Sequence, residues 1–397
     1  MVLRIKKINA LYVLLIVPFL VPSSLYIYPI ILNLVKMLKL IVFGYCLYLL
    51  TGLELREEKV LWYSGIYFVF LLISTMVQGE SIYAWFSTVY PYFSVLVLIC
   101  SWYQRNGERT LDVLANIFIV FLFLNFLSWG MGGLYIDTTS SFGTERMVYF
   151  WGIRNSLSYC ILPFGIVIFL SLKTQLHPKW NGILGYLAIL LNIFLAFSLE
   201  LVTAIFALCV FALIYIINGN KYRKLPKWNK LLIGILVGTA IGVTGFGFQG
   251  NVSIDLLLSL GKGTTFNGRT FIWNSVLSQI KGINWILGHG VGSEKSFEIN
   301  GMFTATTHSQ YLYILYESGL IGIVLFWWMI YGQLKPLFKK KFRSGNKIIF
   351  AGIVCILAAG IVENICNNCY FFSMLGIVSC YINEKKYDDE IDALNTA

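Results

Sequence analysis

Apolar runs of roughly 17 to 25 residues follow one another along the whole chain, separated by short polar or basic stretches. They fall at 8–30, 34–53, 59–78, 84–103, 110–130, 153–172, 181–199, 201–218, 229–248, 310–332, 346–364 and 369–383. Each is long enough to cross a hydrocarbon core as a helix, and a helix satisfies its own backbone where no water can. The pattern therefore predicts an all-α, polytopic integral membrane protein with about twelve transmembrane helices. No internal repeat, low-complexity segment or soluble stretch with a core of its own interrupts it, so residues 1–397 read as a single membrane domain.

Two connections are long, 131–152 and 249–309. The second is too rich in Trp, Phe and Ile to be disordered, and long loops in compact folds are most often functional. Within it, Thr270 to Ile280 can form an amphipathic helix, with Phe271, Val276 and Ile280 set apart from Asn274, Ser278 and Lys281. Such a helix is expected to lie on the membrane surface. Gly288, Gly290 and Gly292 mark a turn of high backbone freedom, and the chain re-enters the bilayer near His308.

Composition agrees with the pattern: 58% of residues are hydrophobic and 12% charged, and the mean hydropathy is +0.74. The net charge of +11 is mostly topogenic. With both termini in the cytoplasm, most of the 30 Lys and Arg residues fall on cytoplasmic segments and loop 249–309 faces outward. The basic runs are split among short loops, which argues against nucleic acid and makes anionic lipid headgroups their neighbours. The first apolar run passes Pro18 and Pro22 without a small-residue cleavage site, so it reads as a retained helix. The eight cysteines lie mainly in apolar runs, as small hydrophobes. Cys366 and Cys369 form a C-x-x-C turn, but no second Cys or His pair accompanies it to complete a metal site.

Polar chemistry concentrates in the outer loops. Arg269 and Trp273 are spaced to share a helix face, either as a cation–π or headgroup anchor or as a guanidinium fork for a lipid-linked diphosphate. Arg154, at the lip of a span, and Arg146, beside Glu145, are the natural partners for such an anion. Of the histidines, His177 sits in a cytoplasmic loop and His289 in the glycine turn, where it can bond the loop backbone. His308 opens a helix on the outer surface, where it can cap, anchor, or take a proton from a sugar hydroxyl. Glu317 lies about 13 Å deeper on the opposite face of a straight helix, so it cannot touch His308 and reads as structural, with Gly319 and Gly322 admitting a neighbouring helix. Glu200, at an outer turn, is a carboxylate of the same kind. The chain has no Walker-type phosphate loop, no H-E-x-x-H, no paired zinc ligands and no G-x-S-x-G elbow, so nucleotide hydrolysis and zinc chemistry are not expected.

Taken in order, GRTFIW, LGHGVG and THSQYLYILYESGLIG resemble the signature region of the O-antigen polymerase and O-antigen ligase superfamily, including Wzy-type capsular polysaccharide polymerases. Upstream, GIRNSLSYCILP and FSLELVTAIFAL are similar to the family's asparagine helix start and following helix pair. The resemblance implies a GT-C-like, inverting, metal-independent glycosyltransferase that needs no cofactor. It would join polyprenyl-diphosphate-linked oligosaccharides on the outer face of a bacterial cytoplasmic membrane, alongside flippase and chain-length regulator proteins. It makes His308 the general base and Arg269 the arginine that holds the donor diphosphate, with Arg154 or Arg146 as a second ligand by position. Trp273, His289, Tyr311 and Glu317 are supporting candidates. The chain departs from the family at Ser309, where Asn often follows the His, and at Leu201-Val202, where a Ser-Arg pair is usual. A polymerase is the leading expectation. A ligase that transfers finished glycan to a terminal acceptor and a lipid-linked oligosaccharide flippase are the alternatives, although a transporter calls for repeated halves that this chain lacks.

Overall fold

The apolar runs fold as helices because nothing else satisfies their backbone away from water. The computed structural model describes residues 2–52, 58–137, 145–173, 179–218, 228–246, 263–293, 297–299, 302–304, 306–338 and 344–396. In chain order its principal helices are α1 (Val2–Ile16), α2 (Pro29–Leu49), α3 (Lys59–Val77), α4 (Ile82–Asn106), α5 (Arg109–Gly130), α6 (Ser158–Lys173), α7 (Lys179–Ser198), α8 (Val202–Ile217), α9 (Trp228–Phe246), α10 (Gly263–Gln279), α11 (Gln310–Leu334), α12 (Ser344–Ala359) and α13 (Cys369–Thr396). Helices α2 to α5, and α11 with the turn after it, are long and apolar enough to cross a membrane. The others that are apolar, such as α6, α8 and α12, are shorter, so helix length alone does not fix the number of spans.

The bundle packs α3 against α11, α4 against α13, α8 against α12, and α5, α6 and α7 against one another. Its interior is aliphatic and aromatic: Phe118 stacks on Phe164 at 4.0 Å, and Trp102 stacks on Tyr12 at 5.5 Å. The purely α expectation needs correction at the two long connections. Tyr135–Asp137 (β1), Arg146–Tyr149 (β2) and Gly152–Ile153 (β3) form a small antiparallel sheet, and Phe297–Ile299 (β4) pairs with Met302–Thr304 (β5). The first sheet is sewn to the bundle, with Trp151 N–H donating to Asn125 at 3.1 Å and Phe150 N–H to Ser128 at 2.9 Å. Because the chain spends 152–157 on β3 and a 3₁₀ turn, α6 begins later than the apolar run suggests.

The span expected at 310–332 is not one straight helix. At Gly319 the backbone leaves helical geometry (φ +63°, ψ −165°), and the last carbonyls before the break find partners outside α11. His289 N–H donates to Tyr316 O at 2.7 Å and Gly290 N–H to Glu317 O at 2.9 Å. The Ser74 hydroxyl of α3 also reaches Glu317 O at 2.9 Å, and Val291 N–H donates to Thr75 Oγ1 at 3.0 Å. Non-helical backbone at membrane depth is tolerated only where protein satisfies it in this way. The neighbour that Gly319 admits is the single helical turn Asn284–Leu287 leading into the glycine turn: a Cβ on Gly319 would strike the Ile286 carbonyl, and one on Gly288 (φ +77°) would strike the Glu317–Ser318 backbone.

Gly288→Ala is therefore expected to destabilise the protein by about 2–4 kcal/mol, combining left-handed strain with overpacking. At Gly79 (φ +70°) an added methyl group would meet nothing within 4 Å, so Gly79→Ala should cost only about 1–2 kcal/mol. Thermal unfolding of both variants in detergent checks the clasp, and equal losses would argue against it.

Candidate functional site

The mouth of α11 is built by two chain segments zipped together. Gln310 N–H donates to Gly360 O at 2.8 Å, and its side chain receives Cys366 N–H at 2.8 Å while donating to Asn367 at 3.0 Å. Asn364 donates to Thr306 Oγ1 at 3.0 Å. From α10, the buried Trp273 indole donates to Thr307 O at 3.0 Å. These bonds hold His308 in the left-handed region (φ +47°), a conformation that costs a non-glycine residue about 1–3 kcal/mol and persists only where its surroundings over-determine it.

The residue that organises the site is Glu363, in the turn between α12 and α13 and only 4% exposed. Its Oε2 lies 3.2 Å from Arg269 Nη2, its Oε1 lies 3.2 Å from His308 Nδ1, and the Tyr159 hydroxyl of α6 donates toward Oε1 at 3.5 Å. A carboxylate this buried must be paired, and here two basic side chains, each 23% exposed, share it. A carboxylate oxygen accepts, so Nδ1 is the ring nitrogen that donates to Glu363, which leaves Nε2 as the one free to face a substrate, the arrangement a general base requires. Arg269 engages Glu363 through one nitrogen of a guanidinium fork that carries five N–H donors.

The structure thus brings two of the sequence candidates, Arg269 and His308, onto one carboxylate that was not among them. The signal for Glu363 was available: it is an ionisable residue at the end of an apolar run, the same property that drew attention to Glu317. Arg154 lies elsewhere, its Nη2 3.1 Å from Glu200 Oε2 and 2.9 Å from the Glu200 carbonyl. That pair is exposed (49% and 75%), so Glu200 is a surface partner and not a membrane-depth carboxylate like Glu317. Arg146 stands opposite Asp137 in the β1–β2 register. The 3₁₀ turn that carries Arg154 does lead directly into α6, whose Tyr159 reaches Glu363.

Four supporting candidates turn out to be held by the scaffold. Trp273, Val276 and Ile280 are buried against Leu312, Leu315 and Tyr316, so the apolar face of α10 is taken up by α11. Of the faces expected for it, Val276 and Ile280 are buried and Asn274, Ser278 and Lys281 exposed, while the side chain of Phe271 lies outside those described. His289 stacks on Tyr316 at 4.2 Å with Nδ1 3.2 Å from Tyr316 O. Tyr311 donates to Leu357 O at 2.8 Å, and Glu317 accepts from the Tyr313 hydroxyl at 2.9 Å. Cys366 and Cys369 are buried free thiols, and burial pushes the Cys366 thiol up, away from the thiolate that redox or metal chemistry needs. Glu58, Cys100 and Cys380 could meet on one ion, but they contribute nothing to the Glu363 cluster.

No curated protein and no solved structure matches the chain. Residues 184–327, which run from within α7 through α10, the glycine turn and His308 into the first part of α11, match the family model described as O-antigen ligase. The match covers Arg269 and His308 but ends before Glu363. Over these residues the chain is similar to the O-antigen polymerase/ligase superfamily, and the match supports that relationship.

Proposed function

We propose that this protein is a polysaccharide polymerase joining polyprenyl-diphosphate-linked oligosaccharide repeat units on the outer face of a bacterial cytoplasmic membrane. The observation that carries the reading is the shared carboxylate: Glu363 holds the imidazole of His308 beside the guanidinium of Arg269 at the mouth of a membrane helix. In the proposed reaction, Nε2 of His308 takes the proton of an acceptor sugar hydroxyl. The oxygen attacks the anomeric carbon of the donor from the side opposite the diphosphate, the glycosidic bond forms with inversion, and the carbon–oxygen bond to the diphosphate breaks. Arg269 stabilises the charge that develops on the leaving diphosphate, and Glu363 stabilises the imidazolium. An apolar cavity of about 980 Å³ between α2, α3 and α4, walled by Phe43, Trp62, Phe68, Trp85 and Phe86, suits the polyprenyl tail.

The second reading is a ligase, favoured by the description of the matching family model. Deleting the protein and sizing the surface glycan separates the two: single repeats left on the lipid carrier support a polymerase, and long chains left there support a ligase. Orientation is tested separately. In a cysteine-free background, Lys281→Cys beside the glycine turn should react with an external thiol reagent, whereas Lys335→Cys at the far end of α11 should not. Equal labelling would remove the outward-facing site.

A further inference from the structure

At the end of α11 away from His308, a second cavity, of about 280 Å³, has two lysines, Lys230 and Lys335, in an otherwise apolar and aromatic wall of Ile233, Tyr331 and Phe338. Lys230 comes from the first turn of α9 and Lys335 from the turn that follows α11. The position of Lys230 is fixed from two sides. Its neighbour Asn229 is buried and exchanges amide hydrogen bonds with Asn218, at 2.8 Å and 3.3 Å. Its ammonium lies 5.6 Å from the centre of the Phe338 ring, a cation–π contact.

We propose that this cavity binds the phosphate headgroup of an anionic membrane phospholipid. The charge is one-sided: segments 221–230 and 335–347, which frame the cavity in sequence, carry Lys or Arg at nearly every second position and neither Asp nor Glu. Its volume falls at the lower edge of ligand pockets, roughly 300 Å³, enough for a headgroup and not for acyl chains. Those chains have a surface to follow, because Leu231, Ile235 and Tyr331 are exposed beside the cavity. Two lysines act on phosphate as point charges and do not demand the planar, bidentate geometry that arginine imposes. Basic pockets between membrane helices are suited to lipid headgroups for the same reason. The proposal stands apart from the Glu363 cluster and does not depend on the reaction assigned to it.

Native mass spectrometry of the full chain in detergent tests it, with phosphatidylglycerol, phosphatidylcholine and inorganic phosphate as separate probes. The parent protein should retain phosphatidylglycerol in preference to phosphatidylcholine. The double variant Lys230→Gln/Lys335→Gln should lose that preference by about 30-fold, the factor expected of two lysines near a charged membrane surface. Both lysines are exposed, so the variant should reach the membrane in normal amount, and an Asn274→Ala variant serves as a surface control. Unchanged phosphatidylglycerol retention in the double variant would overturn the proposal. So would a parent protein that does not discriminate between the two lipids, or one from which inorganic phosphate displaces phosphatidylglycerol at equal concentration, since either result assigns the cavity to something other than an anionic lipid.

Discussion

His308→Ala is expected to slow chain growth by about 10²–10⁴-fold, the usual contribution of a positioned general base, while membrane abundance stays normal. The left-handed backbone at this position (φ +47°) is no easier for alanine than for histidine, so the substitution removes the imidazole without relieving or adding much strain. Glu363→Gln tests the same step from behind. Glutamine keeps the size of the side chain but loses its charge, and it can turn an amide N–H toward His308 Nδ1, which forces the proton onto Nε2 and removes the base. A loss approaching that of His308→Ala is expected. His289→Ala is the matched control, because that ring stacks on Tyr316 in the glycine turn, away from Glu363. Normal polymer length in His308→Ala would remove His308 from the mechanism.

Substitutions at Arg269 should separate an anion clamp from a structural ion pair. Lysine keeps the positive charge near Glu363 but loses the planar fork that binds two phosphate oxygens at once. Arg269→Lys should therefore impair polymerisation at least tenfold, about 1.4 kcal/mol of transition-state stabilisation, with little change in thermal stability. Arg269→Ala should impair it at least as much, and it should also cost up to about 3 kcal/mol of stability by leaving a carboxylate that is 4% exposed with less compensation. Glycan length and detergent melting temperature, read on the same two variants, distinguish these effects. The same pair of changes at Arg154 and Arg146 shows whether either supplies a second arm, since only a true diphosphate ligand should reject lysine. If lysine is accepted at all three positions, the diphosphate assignment fails.

The helices were legible because membrane-length apolar runs leave the backbone few choices, and Arg269 and His308 stood out as polar residues at the edge of such runs. What joins them was harder to read. Glu363 lies 55 residues beyond His308 in sequence, and no local spacing announces a contact across that distance. The glycine turn was recognisable as a turn, but its use was not: Gly288 is close to Ser318 and Gly319 to Ile286, a mutual fit that exists only after α11 breaks. Arg154 looked like an anion ligand because its helix start carries a charge at the lip of a span. Its carboxylate partner, Glu200, comes from a turn between two other helices, and sequence alone does not bring those turns together.

The two anchors on α11 have a consequence for how the loop before it can vary. The chain enters the anchored region at 287–291, where the glycine turn is tied to α3 and to the break in α11, and leaves it at 306–310, where it is tied to residues 360–367. Strands β4 and β5 lie between the two ties, and β4 also packs against α10. Lengthening the segment between the ties costs only about 0.6 kcal/mol per doubling in closure entropy. Length between the ties can therefore change while the imidazole stays in register with its carboxylate, whereas changes within β4 meet α10, the helix that carries Arg269.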